Sequence, residues 1–293
     1  MDIVRFMGGL GNQMFQYAFY LELESRNRMV EASLGEYPNR TRGYRPLLVD
    51  EIFLGVRLNV VKEEEYNRIY DKWRDIKSSP KKLDKFLDEK NLSDRFVFED
   101  LNAYKYDERV FQCSDCTYIG YWQSERYFWN VRELVRKAYQ FSNIDNDLKR
   151  IGESYRGLVS VHVRRGDYLK NRAIQVCDAR YYIESMELIK SIIGDVEFVV
   201  FSDDIEWVTE FFREYNSVII NNRDVFDKYE DWYDMYLMSK CRANIISNST
   251  FSWWGAWLND NSKKIVISPK KWINDSSVHE EGPIQDGVQW ICL

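Results

Sequence analysis

At 293 residues the chain exceeds what one small core organises, so one large or two modest domains are expected; 45% hydrophobic and 16% aromatic residues are ample to pack them and exclude disorder. A formal net charge of −6 excludes a general nucleic-acid or anionic-membrane binder, which needs a broad basic surface. Any anionic ligand must therefore be met by a local cationic cluster.

Met1-Asp2 opens without the basic, apolar pattern of a leader, and no apolar run approaches the roughly 20 residues that span a bilayer, so a cytoplasmic protein is expected. Ile3-Val4-Arg5-Phe6-Met7 is strand-like and breaks into Gly8-Gly9-Leu10-Gly11-Asn12-Gln13. Met14, Phe15, Tyr17, Ala18 and Leu21 then recur at helical spacing. Such a strand, glycine loop and helix is either a tight βα turn or a backbone cradle for phosphate. As a dinucleotide fingerprint it is defective, because Met14 stands where the third glycine belongs, and it lacks the Lys-Ser/Thr ending of a P-loop.

Residues 62–100 are charge-rich with scattered leucines and aromatics and predict solvated helices broken near Ser78-Ser79-Pro80. Cys113-Ser114-Asp115-Cys116 has the spacing of half a zinc site, but a second pair is missing and only His162 and His279 are available, so free thiols are expected. Residues 118–122 predict a strand and 127–139 a helix. The polar, aperiodic stretch 142–147 marks a linker, giving domains 1–143 and 144–293. Its Asp145-Asn146-Asp147 could hold a metal and a diphosphate, but no apolar strand precedes it, and helix capping is the better reading.

The second half alternates cleanly, with strands predicted at 158–163, 196–201, 218–220, 243–247 and 265–268 and helices at 180–193, 205–212 and 232–239. Repeated βα units imply a parallel, doubly wound sheet. For residues 272–293 the sequence leaves open a return to the first domain.

Four strand ends carry polar or glycine residues: 8–12, 162–167, 202–204 and 247–250. In an open parallel sheet such ends line one crevice. The most informative is His162-Val163-Arg164-Arg165-Gly166-Asp167. A strand buried on both faces has no use for two guanidiniums, so it must end there, and the donor forks of Arg164 and Arg165 match phosphate oxygens. The competing reading is a surface ion-pair cluster. Ser249 and Thr250 offer hydroxyls and helix-terminal N–H groups to a phosphate, or simply cap the helix. Asp203-Asp204 suits a ribose hydroxyl or a cap. Asp234 suits a base edge or a solvated helix face, and Trp253, Trp254 and Trp257 read as core.

Gly9-Leu10-Gly11-Asn12-Gln13-Met14-Phe15-Gln16-Tyr17, the His162 to Asp167 block and Ile246-Ser247-Asn248-Ser249-Thr250-Phe251-Ser252-Trp253-Trp254-Gly255 occur in this order. Together they resemble the α-1,2-fucosyltransferase family, glycosyltransferase family 11. The resemblance implies an α/β GT-B architecture of two Rossmann-like, doubly wound domains facing a cleft, the N-terminal one on the acceptor side and the C-terminal one binding GDP-fucose. It implies inverting transfer of L-fucose from GDP-β-L-fucose to O-2 of a galactose in an oligosaccharide or surface glycan, with neither cofactor nor metal. Arg164 then matches the arginine on the β-phosphate, with Arg165 beside it. His162 and Asp234 match positions near guanosine, and Ser249 and Thr250 the phosphate-binding hydroxyl turn. Gly9, Gly11 and Asn12 match the loop that closes over the pyrophosphate and the transferred sugar. Asp167 is either the base that takes the acceptor proton or a brace for the arginines. The α-1,6 branch carries a glutamate where this chain has Arg172, so that role does not transfer. The animal members' membrane anchor is lacking here, which implies a bacterial, cytosolic enzyme with at most peripheral membrane contact. The alternatives are a GDP-fucose transferase of another linkage, a non-catalytic carbohydrate-binding module and a dinucleotide oxidoreductase.

Overall fold

The computed structural model describes residues 1–34, 46–61, 95–99, 106–219, 230–274 and 290–293. The chain divides into two units, Met1–Gln140 and Phe141–Leu293. Each is a parallel α/β sheet, the pair of Rossmann-like units expected of GT-B. Among the described residues no helix is long and apolar enough to cross a membrane.

The first unit has strands β1 (Asp2–Arg5), β2 (Val30–Ser33), β3 (Phe96–Phe98) and β4 (Thr117–Ile119) in the order β2-β1-β4-β3, all parallel. The helices expected over 62–94 lie outside the described residues. At 96–98 the structure corrects the helical expectation: the β-forming run Phe96-Val97-Phe98 pairs with β4 instead. β4 is shorter than predicted. Trp122 adopts a left-handed φ of 55°, and the N–H groups of Tyr121 and Trp122 donate to the Glu99 carboxylate rather than to a ladder. The helix expected at 127–139 begins as a 3₁₀ segment, Glu125–Val131, and becomes α-helical only over α3 (Arg132–Ala138); α2 is the short Val49–Ile52. Cys113 and Cys116 are joined in a disulfide, which overturns the expectation of free thiols; the two-residue gap brings the sulfurs together without a metal.

Helix α1 (Leu10–Ser25) is buried from Leu10 to Leu23 apart from Asn12, so its polar residues must find internal partners. Gln13 Oε1 accepts from the N–H groups of Leu48 and Val49, while its Nε2 donates to the carbonyls of Gly8 and Pro46. Gln16 accepts from Met7 N–H at 3.0 Å and donates to the Gly120 carbonyl at 3.0 Å, tying the loops after β1 and β4 together. Phe19 stacks on Trp122 with centroids 4.4 Å apart.

The second unit has β5 (Val159–Val163), β6 (Phe198–Ser202), β7 (Ser217–Ile219), β8 (Ala243–Ile245), β9 (Val266–Ser268) and β10 (Trp290–Cys292), ordered β10-β9-β8-β5-β6-β7 and all parallel. β10 pairs with β9, so the chain's last strand completes this sheet instead of returning to the first unit. Helix α4 (Asn146–Ser154) is capped by Asp145, whose carboxylate accepts from Leu148 N–H at 2.7 Å, the capping role rather than a metal motif. The helices are completed by α5 (Ala179–Ile193), α6 (Ile205–Phe211), α7 (Trp232–Met238) and α8 (Thr250–Trp257). Val159, Val161, Val163, Met186, Ile189 and Ile245 fill the core, and Trp253, Trp254 and Trp257 are at most 1% exposed.

Gln16→Leu should keep the hydrophobic volume of α1 but strand the Met7 N–H and the Gly120 carbonyl. We expect a loss of about 2 to 6 kcal/mol in urea unfolding, from two buried groups left unpaired at about 1–3 kcal/mol each; a loss under 0.5 kcal/mol would remove Gln16 from the architecture.

Candidate functional site

Register decides which strand ends meet. In the second unit Val163 lies opposite Ser202, and Val161 opposite Ile245, so the segments that follow β5, β6 and β8 leave the sheet side by side. The chain passes from β5 to β6 on one side and later lays β8 on the other, which makes the β5–β8 boundary the topological switch point where such sheets bind ligands.

Every residue of β5 is buried, and the first charge after it is Arg164. Its Nη2 lies 2.8 Å from Asp167 Oδ1 and its Nη1 3.0 Å from Asp203 Oδ2. Burial works against the guanidinium's charge, but Asp203 and Asp167 outweigh it and hold the arginine firmly protonated. Asp203 does more than this: it accepts from the N–H groups of Arg165 at 2.8 Å and Gly166 at 3.1 Å. A Cβ at Gly166 would stand 2.7 Å from Asp203 Oδ2, so a larger residue there would push this carboxylate from its place. The ribose-or-cap reading of the Asp203-Asp204 pair thus divides. Asp203 braces the arginine turn, while Asp204 caps α6 by accepting from Trp207 N–H at 3.1 Å.

The structure separates the two arginines. Arg165 Nε donates to Asp204 at 2.9 Å, and its guanidinium lies 4.2 Å from the Trp207 ring centroid. This engagement holds the β5 turn against α6, whereas Arg164, similarly exposed at 28% against 25%, is held by Asp167 and Asp203 at the end of β5. The sequence offered the donor forks of both to phosphate, with the β-phosphate assigned to Arg164. Asp167 lies against Arg164, with Nε donating to it at 3.0 Å, which is the bracing geometry of its two expected roles.

His162, 6% exposed, places Nδ1 3.0 Å from Ser247 Oγ and so joins β5 to the end of β8. Burial first, and the Arg164 charge second, hold its pKa down to about 4, so the ring is neutral at working pH. Ser249 occupies the N-cap position of α8 in extended backbone, yet its hydroxyl makes no capping bond; Thr250 is the first helical residue. The plain capping reading of Ser249 is therefore not what the structure holds. Asp234 is half-buried in the first turn of α7; burial, Cys241 and the Asp234 charge together push the Tyr155 phenol up.

In the first unit Gly8 has φ of 80°, and a Cβ on it would stand 2.7 Å from Asn12 Nδ2. Gly9 is the extended N-cap residue of α1, while Gly11 and Asn12 already lie in the helix, so the expected loop is confined to Gly8-Gly9. Asn12 Oδ1 accepts from Gln123 Nε2 at 3.0 Å. Among the described residues no cluster of three or more His, Cys, Asp or Glu could hold a metal ion.

The family model for glycosyl transferase family 11 matches residues 2–292. An alpha-1,2-colitosyltransferase of Escherichia coli is 34% identical to the chain, covering 99% of it and 98% of the relative. The O-antigen biosynthesis glycosyltransferase WbnK of Escherichia coli is 33% identical, with coverages of 90% and 92%. Human galactoside alpha-(1,2)-fucosyltransferase 1 is 28% identical over 47% of this chain and 42% of its own length.

The neutral, buried His162 makes stability depend on pH. Its pKa in the fold lies near 4 against an ordinary 6.5, so the unfolded chain takes up the proton first. The contribution is present above pH 6.5 and is lost as pH falls toward 4, to a limit on the order of 3 kcal/mol. Urea unfolding from pH 7 to 4 should show this slope and His162→Gln should flatten it; identical slopes would place His162 among solvent-accessible histidines.

Proposed function

This chain belongs to glycosyltransferase family 11, and from that premise we propose that it transfers L-fucose from GDP-β-L-fucose to O-2 of a galactose in an oligosaccharide or surface glycan, inverting the anomeric centre to an α-1,2 linkage. The observation that carries this reading is the pairing of Arg164, at the end of β5, with an α-helix N-terminus whose Ser249 hydroxyl is not spent on capping, both at the switch point of one parallel sheet.

Glycosyl transfer from a nucleoside diphosphate passes through an oxocarbenium-like state while negative charge gathers on the departing diphosphate. Fixed cations and dipoles that meet this charge lower the barrier. Arg164 supplies the cation. The first N–H groups of α8, with the Ser249 and Thr250 hydroxyls, supply the dipoles. His162, neutral and held by Ser247, and Asp234 are assigned to the guanosine end. We assign the neutralisation to these groups without a metal, so activity should persist in excess EDTA.

Removal of the acceptor proton falls to Asp167 or to a departing phosphate oxygen. The Arg164–Asp167 pair favours the brace, and a pH–rate profile unchanged in Asp167→Asn would exclude this carboxylate as the base.

The similarity to the colitosyltransferase supports a second reading, in which the donor is GDP-colitose, whose sugar lacks the 3-hydroxyl of fucose. A site that hydrogen-bonds that hydroxyl rejects the deoxy donor by about 10⁴-fold. Comparing kcat/KM for the two GDP donors with a β-galactoside, and determining the product linkage by NMR, chooses between them. The reading as a whole fails if neither donor releases GDP. Arg164→Ala should lower turnover roughly a hundredfold or more with the fold intact; near-normal turnover at saturating donor would remove Arg164 from the charge-stabilising role.

A further inference from the structure

The turn that presents Ser249 and Thr250 is not held by an ordinary helix cap: Ser252 Oγ donates to the Ser247 carbonyl at 3.3 Å and the Ser249 carbonyl at 3.1 Å, and side chains from other segments add to this. Ser249 N–H closes onto the Ser247 carbonyl at 2.7 Å, forming a γ-turn with Asn248 at its centre. The Asn248 side chain, on a residue 5% exposed, is taken up by neighbouring protein groups. Its Nδ2 donates to the carbonyls of Ile174 and Trp272, each at 2.9 Å, and its Oδ1 receives the Cys177 thiol at 3.7 Å. Burial pushes that thiol up to about 12, so it stays a donor at working pH. The Asn248 carbonyl, in turn, accepts the Tyr168 hydroxyl at 3.0 Å.

Tyr168 directly follows the Arg164 to Asp167 segment. Gln175 Nε2 fixes its backbone by donating to the Tyr168 carbonyl at 3.0 Å, and its ring lies 5.8 Å from the Arg164 guanidinium carbon. One hydroxyl therefore links the segment that carries Arg164 to the turn that carries Ser249 and Thr250. Neither Tyr168 nor Asn248 needs to touch a ligand to matter. Two groups that must grip the same diphosphate bind well only if their spacing is set beforehand, since ordering them on binding costs affinity.

We propose that Tyr168 and Asn248 are positioning residues, a brace that sets the spacing between Arg164 and the Ser249-Thr250 turn and thereby selects a nucleoside diphosphate over the monophosphate. This rests on the assignment of that turn to a diphosphate.

The test is calorimetric binding of GDP and GMP to the full chain. The wild type should prefer GDP; if it binds GDP no better than GMP, the assignment of the site itself falls. Asn248→Ala leaves two carbonyls unpaired and is a stability risk, so the informative variant is Tyr168→Phe, which removes one oxygen from a half-buried ring. GDP affinity should fall roughly fivefold, the scale of one neutral hydrogen bond, while GMP affinity moves less than twofold. In a Thr250→Ala background the same change should have little further effect on GDP, because the brace acts through the turn. Unchanged GDP affinity in Tyr168→Phe, equal losses for GDP and GMP, or strictly additive effects with Thr250→Ala would each overturn the brace while leaving the GDP site standing.

Discussion

A guanidinium at the end of a fully buried strand is stable only where carboxylates meet it, and much of the second unit's carboxyl edge follows from that requirement. Arg164 takes one carboxylate from its own turn, Asp167, and one from the neighbouring strand end, Asp203. Asp203 can reach because Val163 and Ser202 are in register and because residue 166 has no side chain. The same carboxylate then fixes the backbone of 165 and 166, and Asp204 next to it engages Arg165. Arg164 and Arg165 against Asp167, Asp203 and Asp204 leave the cluster one negative charge in excess. On the proposed reading, a diphosphate bound here would compete with carboxylates for Arg164's fork. Partly exposed ion pairs are weak enough for such an exchange to be affordable.

The polar residues of the recognisable motifs do two different kinds of work. In the N-terminal block, Gln13 and Gln16 satisfy backbone groups that a nearly all-buried helix would otherwise strand, and Gly8 permits a left-handed turn against Asn12. These residues build the unit. In the C-terminal block Asn248 faces its supporting loops, while its neighbour Ser249 leaves its hydroxyl out of the cap. Adjacent residues in one motif are thus divided between holding and presenting, and spacing alone does not say which is which.

Periodicity made the second unit readable in advance, because β-branched runs such as 159–163 and amphipathic stretches such as 180–193 repeat at short intervals. It failed at 96–98, where a three-residue strand sits beyond a long charged stretch, and at 118–122, where Glu99 draws two N–H groups out of the ladder. The site was legible as a set of strand ends but not as a set of partners. Asp203 was visible only as half of an Asp-Asp pair, Asn248 only as part of the polar strand end 247–250, and Tyr168 carried no signal, since the bracing roles depend on a hydrogen bond between residues 80 positions apart. The disulfide of Cys113 and Cys116 went unread because the spacing alone also fits a metal half-site.

The sequence by itself determined that a β-strand must stop at Arg164, that a helix must follow the N-terminal glycine loop, and that the chain carries the ordered motifs of a glycosyltransferase family. Local sterics, hydrophobic period and the cost of burying charge settle such questions within a few residues. Which carboxylate meets which arginine, that Ser249 does not cap its helix, and where the last strand docks were decided only by the tertiary structure. Those outcomes depend on strand order and register, and a one-residue shift in register would have faced every one of these side chains the other way.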